Sequence, residues 1–402
     1  MAYSAVRSLK MLDIVSSWQG ALVLLTSAAA QAELSATAHR GQIVSFPSSH
    51  YARFCYLGLQ KSTFLSSAFR AGNSTAPRRP AVPRDSLQLR DDLVACLPSL
   101  VIDRPLAESG QRVVYLAHFV DASIPADVLP PDGNDPDQRP FLYGWEAWGG
   151  IVVKVVSGAD NTALARLQAE TAILEDVRPA NFPRLLFCNL FTDNPVTDER
   201  LAERLYVSIE EFVDSTPLCD MADRYKGDER GIATLALGIS NALLPLWVHH
   251  RKFVHRDIKP ANLLIRPSGE VMVIDLGIVR ETGAPGVTHD GPGPGPFTPG
   301  YGAPEQMANE KEAVTFKTDF FSIGVVMYRL MTGVEPFASK PGMQMHEIMI
   351  AAAGYEPPPL ETVAGASQAF SDFVAKAMMK APWQRQRTPA LFIEELQAIL
   401  AN

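Results

Sequence analysis

Apolar residues follow two regimes along this chain. Between residues 112 and 213 they come in short runs: RVVYLAHF (112–119), GGIVVKVV (149–156), RLLFCNLF (184–191) and RLYVSIEEFV (204–213). β-Branched and aromatic residues dominate these runs, which predicts strands. One segment among them differs. ALARLQAETAILEDV (163–177) sets Leu167, Leu174 and Val177 on one face at helical spacing and reads as a helix. Beyond residue 230 the runs lengthen. Residues 231–248 and 319–331 are almost wholly apolar, the mark of buried helices. Between them, LLIRPSGEVMVID (263–275) predicts a hairpin turning at Pro267-Ser268-Gly269. Helical patterning resumes over the last sixty or so residues and ends in LFIEELQAIL. A strand-rich half ahead of a helix-rich half predicts an α+β chain of two lobes with a cleft between them.

Two stretches break the pattern. AGNSTAPRRPAVPRDS (71–86) has linker composition, and DASIPADVLPPDGNDPDQRP (121–140) has loop composition throughout. Charge supports a boundary near Arg84. Residues 1–84 hold nine Lys/Arg against two Asp/Glu, whereas the remainder holds 27 against 42. The net charge of −8 gives no global attraction to nucleic acid or an anionic membrane. Residues 1–84 therefore read as an N-terminal extension. Within it GALVLLTSAAAQA (20–32) is too short for a comfortable membrane span, so no transmembrane segment is expected. It shares features with a signal-peptide core, and the Ser-rich, acid-poor residues 1–70 share features with a transit peptide. An extension with no address is the third reading. Cys55, Cys96, Cys188 and Cys219 lack CxxC spacing, which argues for free thiols and a cytoplasmic location; an organellar or exported one is the alternative.

The chemistry concentrates in FVHRDIKPANLL (253–264), where His255, Arg256, Asp257, Lys259 and Asn262 fall within eight positions between apolar flanks. The predicted hairpin carries Asp275 back beside the loop that bears Asn262. A carboxylate and an amide oxygen converging in this way suit Mg²⁺, a hard cation that keeps substrate phosphate in its shell. Asp257 is then available to accept a proton or orient a hydroxyl. Lys259 is placed to offset charge on a transferred group. The plainer alternative is a buried loop that satisfies its own hydrogen bonds.

HRDIKPAN resembles the catalytic loop of eukaryotic-type (Hanks-type) serine/threonine protein kinases. Asp275-Leu276-Gly277 is similar to that family's metal-binding triplet, with Leu for the usual Phe. Ala303-Pro304-Glu305 resembles the end of its activation segment, and Asp319 to Gly324 the start of its large buried helix. Arg385 stands where the family keeps an Arg that pairs with the Glu matched by Glu305; Arg387 is the fallback. The likeness covers about residues 100–402. It implies a small β-rich N-lobe with one main helix (98–213), a larger helical C-lobe (214–402), ATP and Mg²⁺ as ligands, and a protein substrate. By the same resemblance Asp257, Lys259 and Asn262 are catalytic, and Asn262 and Asp275 hold the metal. Lys154 would anchor the α/β-phosphates and Glu170 would hold Lys154.

Lys154 and Glu170 also stand out on their own. Lys154 sits among apolar neighbours in IVVKVV, and Glu170 shares the apolar helix face with Leu167 and Leu174. A buried ammonium needs a partner. Pairing the two explains both; a surface pair of Glu170 with Arg166 leaves Lys154 unexplained.

The glycine-rich loop is where the likeness thins. RPLAESGQRVVYLA (104–117) places Ala107, Ser109 and Arg112 at the three usual glycines, and Gly110 remains. Such glycines let backbone N–H groups approach phosphates closely. Arg112 is positioned to reach a phosphate itself. By resemblance Ala107, Gly110 and Val114 line the nucleotide, the backbone of Glu211 and Val213 meets the base, and Glu210 is an unusual charged gatekeeper. Lys259 resembles the Ser/Thr-directed branch, and Thr298 the threonine that contacts Asp257 and Lys259. By the same resemblance Arg256 would receive an activation-loop phosphate; Thr288 and Thr282 are the available acceptors, and autophosphorylation at Thr288 is expected. The rival to an active enzyme is a pseudokinase scaffold that binds nucleotide weakly through its degenerate loop.

Overall fold

A computed structural model describes residues 86–109, 112–120, 149–158, 161–276, 280–281 and 295–401. The extension 1–84, the insert 121–140, Gly110, Gly277, Thr282 and Thr288 lie outside the described residues.

The N-lobe runs α1 (Ser86–Cys96), β1 (Leu100–Ser109), β2 (Arg112–Phe119), β3 (Ile151–Ser157), α2 (Asn161–Val177), β4 (Leu185–Asp193) and β5 (Arg200–Glu211). Its strands form one antiparallel sheet ordered β1-β2-β3-β5-β4. All four strand runs expected from the pattern are present. Neither α1 nor β1 is anticipated by that pattern. β1 carries two register shifts, around Ile102/Arg104 and Pro105/Ala107, which break the alternation that marks a strand. Helix α1 lies ahead of the residue-98 start drawn from the sequence. Its Leu89, Leu93 and Cys96 share one core with sheet residues such as Val113, Val153 and Ile209. Their i, i+4, i+7 spacing is a helical signal in a stretch that reads otherwise as polar linker.

In the C-lobe, β6 (Thr216–Pro217), α3 (Leu218–Met221) and the long α4 (Glu229–Val248) lead to β7 (Phe253–Val254). The hairpin follows as β8 (Leu263–Ile265) and β9 (Val271–Val273), then β10 (Arg280–Glu281), α5 (Pro304–Met307) and α6 (Phe316–Thr332). Four helices complete it: α7 (Met345–Gly354), α8 (Leu360–Ala364), α9 (Gln368–Ala377) and α10 (Pro389–Ala401). Helix α4 is long and apolar enough to cross a membrane by length and composition, but most of its apolar window is buried inside this lobe. It packs against α10 and α6 around Leu243, Leu246, Phe320 and Phe392. Helix α6 is bounded by its own chemistry. Thr315 and Thr318 form a reciprocal capping box at its start, and Gly333 closes it with a left-handed φ of 79°. The hairpin turn is as read: Gly269 adopts φ 85° and donates to the Arg266 carbonyl.

Candidate active site

The register of the sheet sets one wall of the cleft. Val114 faces Lys154 across β2 and β3, and Lys154 faces Ser208 across β3 and β5. Lys154 is buried, and its Nζ lies 2.5 Å from Glu170 Oε1 on α2, as the sequence requires. A second carboxylate was not expected there. Glu210 Oε1 lies 2.6 Å from the same ammonium, and Glu210 is itself buried. Burial alone pulls the Lys154 pKa down, but Glu170 and then Glu210 reverse this and hold the charge firmly. Burial pushes Glu210 up, against the pull of Lys154. Alternating residues of one strand face share a side, so Ser208 and Glu210 point toward Lys154 together. The charged gatekeeper is thus explained by an ion pair, with Val152 opposite Glu210 in register.

Arg112 completes this side. Its Nη2 lies 3.6 Å from Glu170 Oε2 and its Nη1 3.4 Å from Asp275 Oδ1. One guanidinium thereby spans from the first residue of β2 to the opposite lobe. Both contacts are loose, and the buried Nε has no hydrogen-bond partner.

The other wall is the loop from His255 to Asn262. Asp257 is its centre. Thr298 Oγ1 donates to Asp257 Oδ1 at 2.5 Å, and Lys259 Nζ donates to Oδ2 at 2.7 Å and to Thr298 Oγ1 at 2.8 Å. Asn262 gives its amide hydrogens to the Asp257 carbonyl and to Oδ2, each at 2.9 Å. All four side chains predicted to work together therefore touch. The loop is held from beneath by Asp319, fully buried on α6. Asp319 accepts from the backbone N–H of His255 (3.0 Å) and Arg256 (2.8 Å) and from Trp247 Nε1 (2.8 Å). Burial pushes the Asp319 pKa up, and the nearby His255 and these hydrogen bonds oppose that rise. Arg256 and Asp275 both adopt left-handed φ, 70° and 67°, which non-glycine residues seldom do. The supports of Arg256 include Asp319 from one side and Gln306 Nε2 on its carbonyl at 2.8 Å.

The hairpin delivers Asp275 as expected. Leu263 pairs with Val273, and Ile274 N donates to the Asn262 carbonyl at 3.0 Å, so Asp275 follows directly beside Asn262. Because Asn262 spends both amide hydrogens on Asp257, its Oδ1 is the atom left to meet a cation. Asn262 Oδ1 and the Asp275 carboxylate form an all-oxygen pair that fits Mg²⁺. No cluster of three His, Cys, Asp or Glu ligands occurs among the described residues. Such a cation would take the rest of its shell from phosphate and water oxygens.

Further out, Arg385 pairs with Glu305 through two parallel bonds of 2.7 and 2.9 Å, both side chains being fully buried. The same guanidinium donates to the Met379, Lys317 and Lys380 carbonyls. Arg387 plays no part in this pair. Of the nucleotide-lining expectations, Ala107 pairs with Val114 across β1 and β2, and Glu211 N–H donates to the Arg184 carbonyl while its carboxylate meets Arg184 Nε. Val213 is buried at the junction of the lobes. Sequence reasoning assigned no role to Asp319 or Gln306 and no partner to Glu210. Asp319 lies in a stretch already matched to the large helix, and its burial among apolar neighbours was the available signal.

The Protein kinase domain family matches residues 151–395, more than half of the chain. Serine/threonine-protein kinase PknA of Corynebacterium glutamicum is 37% identical over 177 residues, 44% of this chain and 35% of that protein. PknJ of Mycobacterium tuberculosis is 34% identical over 160 residues, covering 38% and 26%. Probable serine/threonine-protein kinase PknB of Bifidobacterium longum is 31% identical over 193 residues, covering 48% and 27%. This chain thus spans about a quarter to a third of the length of these relatives. With an ammonium–carboxylate pair on one wall, an Asp–Lys–Thr–Asn cluster on the other and an oxygen pair for magnesium between them, the chain belongs to the protein kinase family, in its Hanks-type serine/threonine branch.

Proposed function

We propose that this chain transfers the γ-phosphoryl group of ATP to serine or threonine hydroxyls of a protein. The observation that carries the reading is the convergence on Asp257. Its Oδ1 and Oδ2 are both engaged by groups that orient the carboxylate and aim it as a proton acceptor. Lys259 bridges Asp257 and Thr298, so its charge stands where the transferring group gains negative charge. Thr298 fixes the acceptor side of the same carboxylate. Lys154, locked by Glu170, would hold the nucleotide phosphates. Bound Mg²⁺, held by Asn262 and Asp275, would neutralise phosphate charge.

A pseudokinase scaffold is the competing reading, and only the substituted glycine-rich loop favours it. Lys154, Glu170, Asp257, Asn262 and Asp275 are all present, and each would be dispensable in a scaffold, which supports the enzyme reading. The free thiols Cys96, Cys188 and Cys219 support a reducing, cytoplasmic location.

Incubating the full chain with labelled ATP, Mg²⁺ and a generic basic protein tests the proposal, with Asp275→Ala as control. We expect label on phosphoserine or phosphothreonine and loss of that label in the variant. Equal labelling by both proteins, or none by the parent although it binds MgATP, contradicts it.

A further inference from the structure

The strand side of the cleft differs from the family pattern at two places, and the structure puts the two side by side. Glu210 brings a negative charge to the ammonium that should serve phosphate. Two of the three Nζ hydrogens of Lys154 are committed to carboxylates, at 2.5 and 2.6 Å. Among the described residues the cluster holds Lys154 and Arg112 against Glu170, Glu210 and Asp275. Without Arg112 one cation would face three carboxylates. Asp275 would be answered by the metal it holds, so the charge left for Arg112 to balance is that of Glu210.

Arg112 has the features of a phosphate ligand held in reserve. It stands at the third glycine position, two residues from Val114 on the same face of β2, so its side chain enters the cleft beside Lys154. The guanidinium is about one-fifth exposed, reachable from the cleft mouth. Its contacts at 3.4 and 3.6 Å are longer than a charge-assisted hydrogen bond, and Nε is unpaired. A structural arginine looks different here: Arg385 makes tight two-pronged bonds and has its remaining donors on carbonyls. Arg112 offers a planar fork with spare donors next to an overcommitted lysine.

We infer that Arg112 and Glu210 are a compensating pair: the Arg112 guanidinium binds the nucleotide's phosphate oxygens in place of the close backbone approach that glycines allow, and returns the positive charge that Glu210 withdraws from Lys154. This rests on the kinase reading for the ligand but concerns binding alone. Glycine here would remove that guanidinium. Neutralising Glu210 frees Lys154 to take over part of that task.

Calorimetric titration of the full chain with MgATP and with adenosine tests it, using Arg112→Gly, Arg112→Gln, Glu210→Gln and the Arg112→Gly/Glu210→Gln double variant. Arg112→Gly should weaken MgATP binding at least about ten-fold and leave adenosine binding within about two-fold, because the lost bonds go to charged phosphate. The double variant should recover most of that loss. Unfolding midpoints without nucleotide identify any variant that fails to fold, and Arg112→Gln, which keeps a polar side chain and an ordinary backbone but no charge, then reads the same effect.

Unchanged or tighter MgATP binding by Arg112→Gly overturns the inference, since Arg112 would then be a plug on Asp275. Equal losses for adenosine and MgATP, or no recovery in the double variant, overturn it too. A parent that binds MgATP but transfers no phosphate sinks the enzyme reading and leaves this one standing; a parent that binds no MgATP sinks both.

Discussion

The two walls of the cleft are built by different rules. On the loop wall, Asp257, Lys259 and Asn262 lie within six residues, and Asp257 and Lys259 meet Thr298 as the family pattern assigns. On the strand wall, Arg112, Lys154, Glu170 and Glu210 come from four separate segments, and three contacts made there, Lys154–Glu210, Arg112–Glu170 and the reach of Arg112 across to Asp275, have no counterpart in that pattern. On the proposed function, the groups for transfer are concentrated in a short loop pinned by Asp319, and those for nucleotide binding are spread over the sheet and α2. Loss at the first wall should therefore show as lost turnover, and change at the second as altered affinity.

The largest expected effect is on the loop wall. Asp257→Asn keeps the shape but removes the proton acceptor, so transfer should fall by about two to four orders of magnitude. MgATP should still raise the melting temperature of that variant, because binding to the native state stabilises by mass action. A collapse of binding together with transfer would merge the two walls into one.

Next comes the frame that holds both in place. Arg385→Ala leaves the buried Glu305 carboxylate without its guanidinium, which should cost about 3–5 kcal/mol in urea unfolding. Because Arg385 also binds three backbone carbonyls, Arg385→Lys should restore only part of this. Full rescue by lysine would mean that the geometry of the fork is irrelevant.

The smallest effect is a pH dependence confined to the C-lobe. Lys380 lies 4.1 Å over the Phe337 ring with no hydrogen-bond partner for its Nζ. Burial pushes its pKa down to about 8, with Glu356 opposing and Arg385 adding. The unfolded chain keeps that proton up to about 10.5, so it binds more protons between these values. Stability must then rise with pH across that window, and the cost of the charged form is fully present below about 8. Denaturation of the parent and of Lys380→Met at pH 7.5 and 10 should show the parent gaining relative to the variant. An equal change in both would remove Lys380 from the account.

What the sequence made legible follows the same division. Strands β2 to β5, helices α2, α4 and α6, and the hairpin were readable because each shows one clear period. The Asp257 cluster was readable because its members are near neighbours in the chain. The pairing of Lys154 with Glu170 could be argued from two misplaced charges that explained each other. Glu210 resisted, since a carboxylate in a strand has no visible partner until register is known. Helix α1 and strand β1 resisted for another reason: one follows a Pro/Arg-rich stretch and the other is interrupted by Pro105 and two bulges. Asp319 could be placed on a helix but not given a task, because its three donors lie more than sixty positions away.

The division of labour is tested most directly by the MgATP dependence of transfer rate, measured side by side for the parent, Thr298→Ala and Arg112→Gly. The account predicts that Thr298→Ala lowers kcat with little change in KM for ATP, and that Arg112→Gly raises KM with kcat largely kept. The reverse assignment, or no turnover by the parent at saturating MgATP, would contradict it.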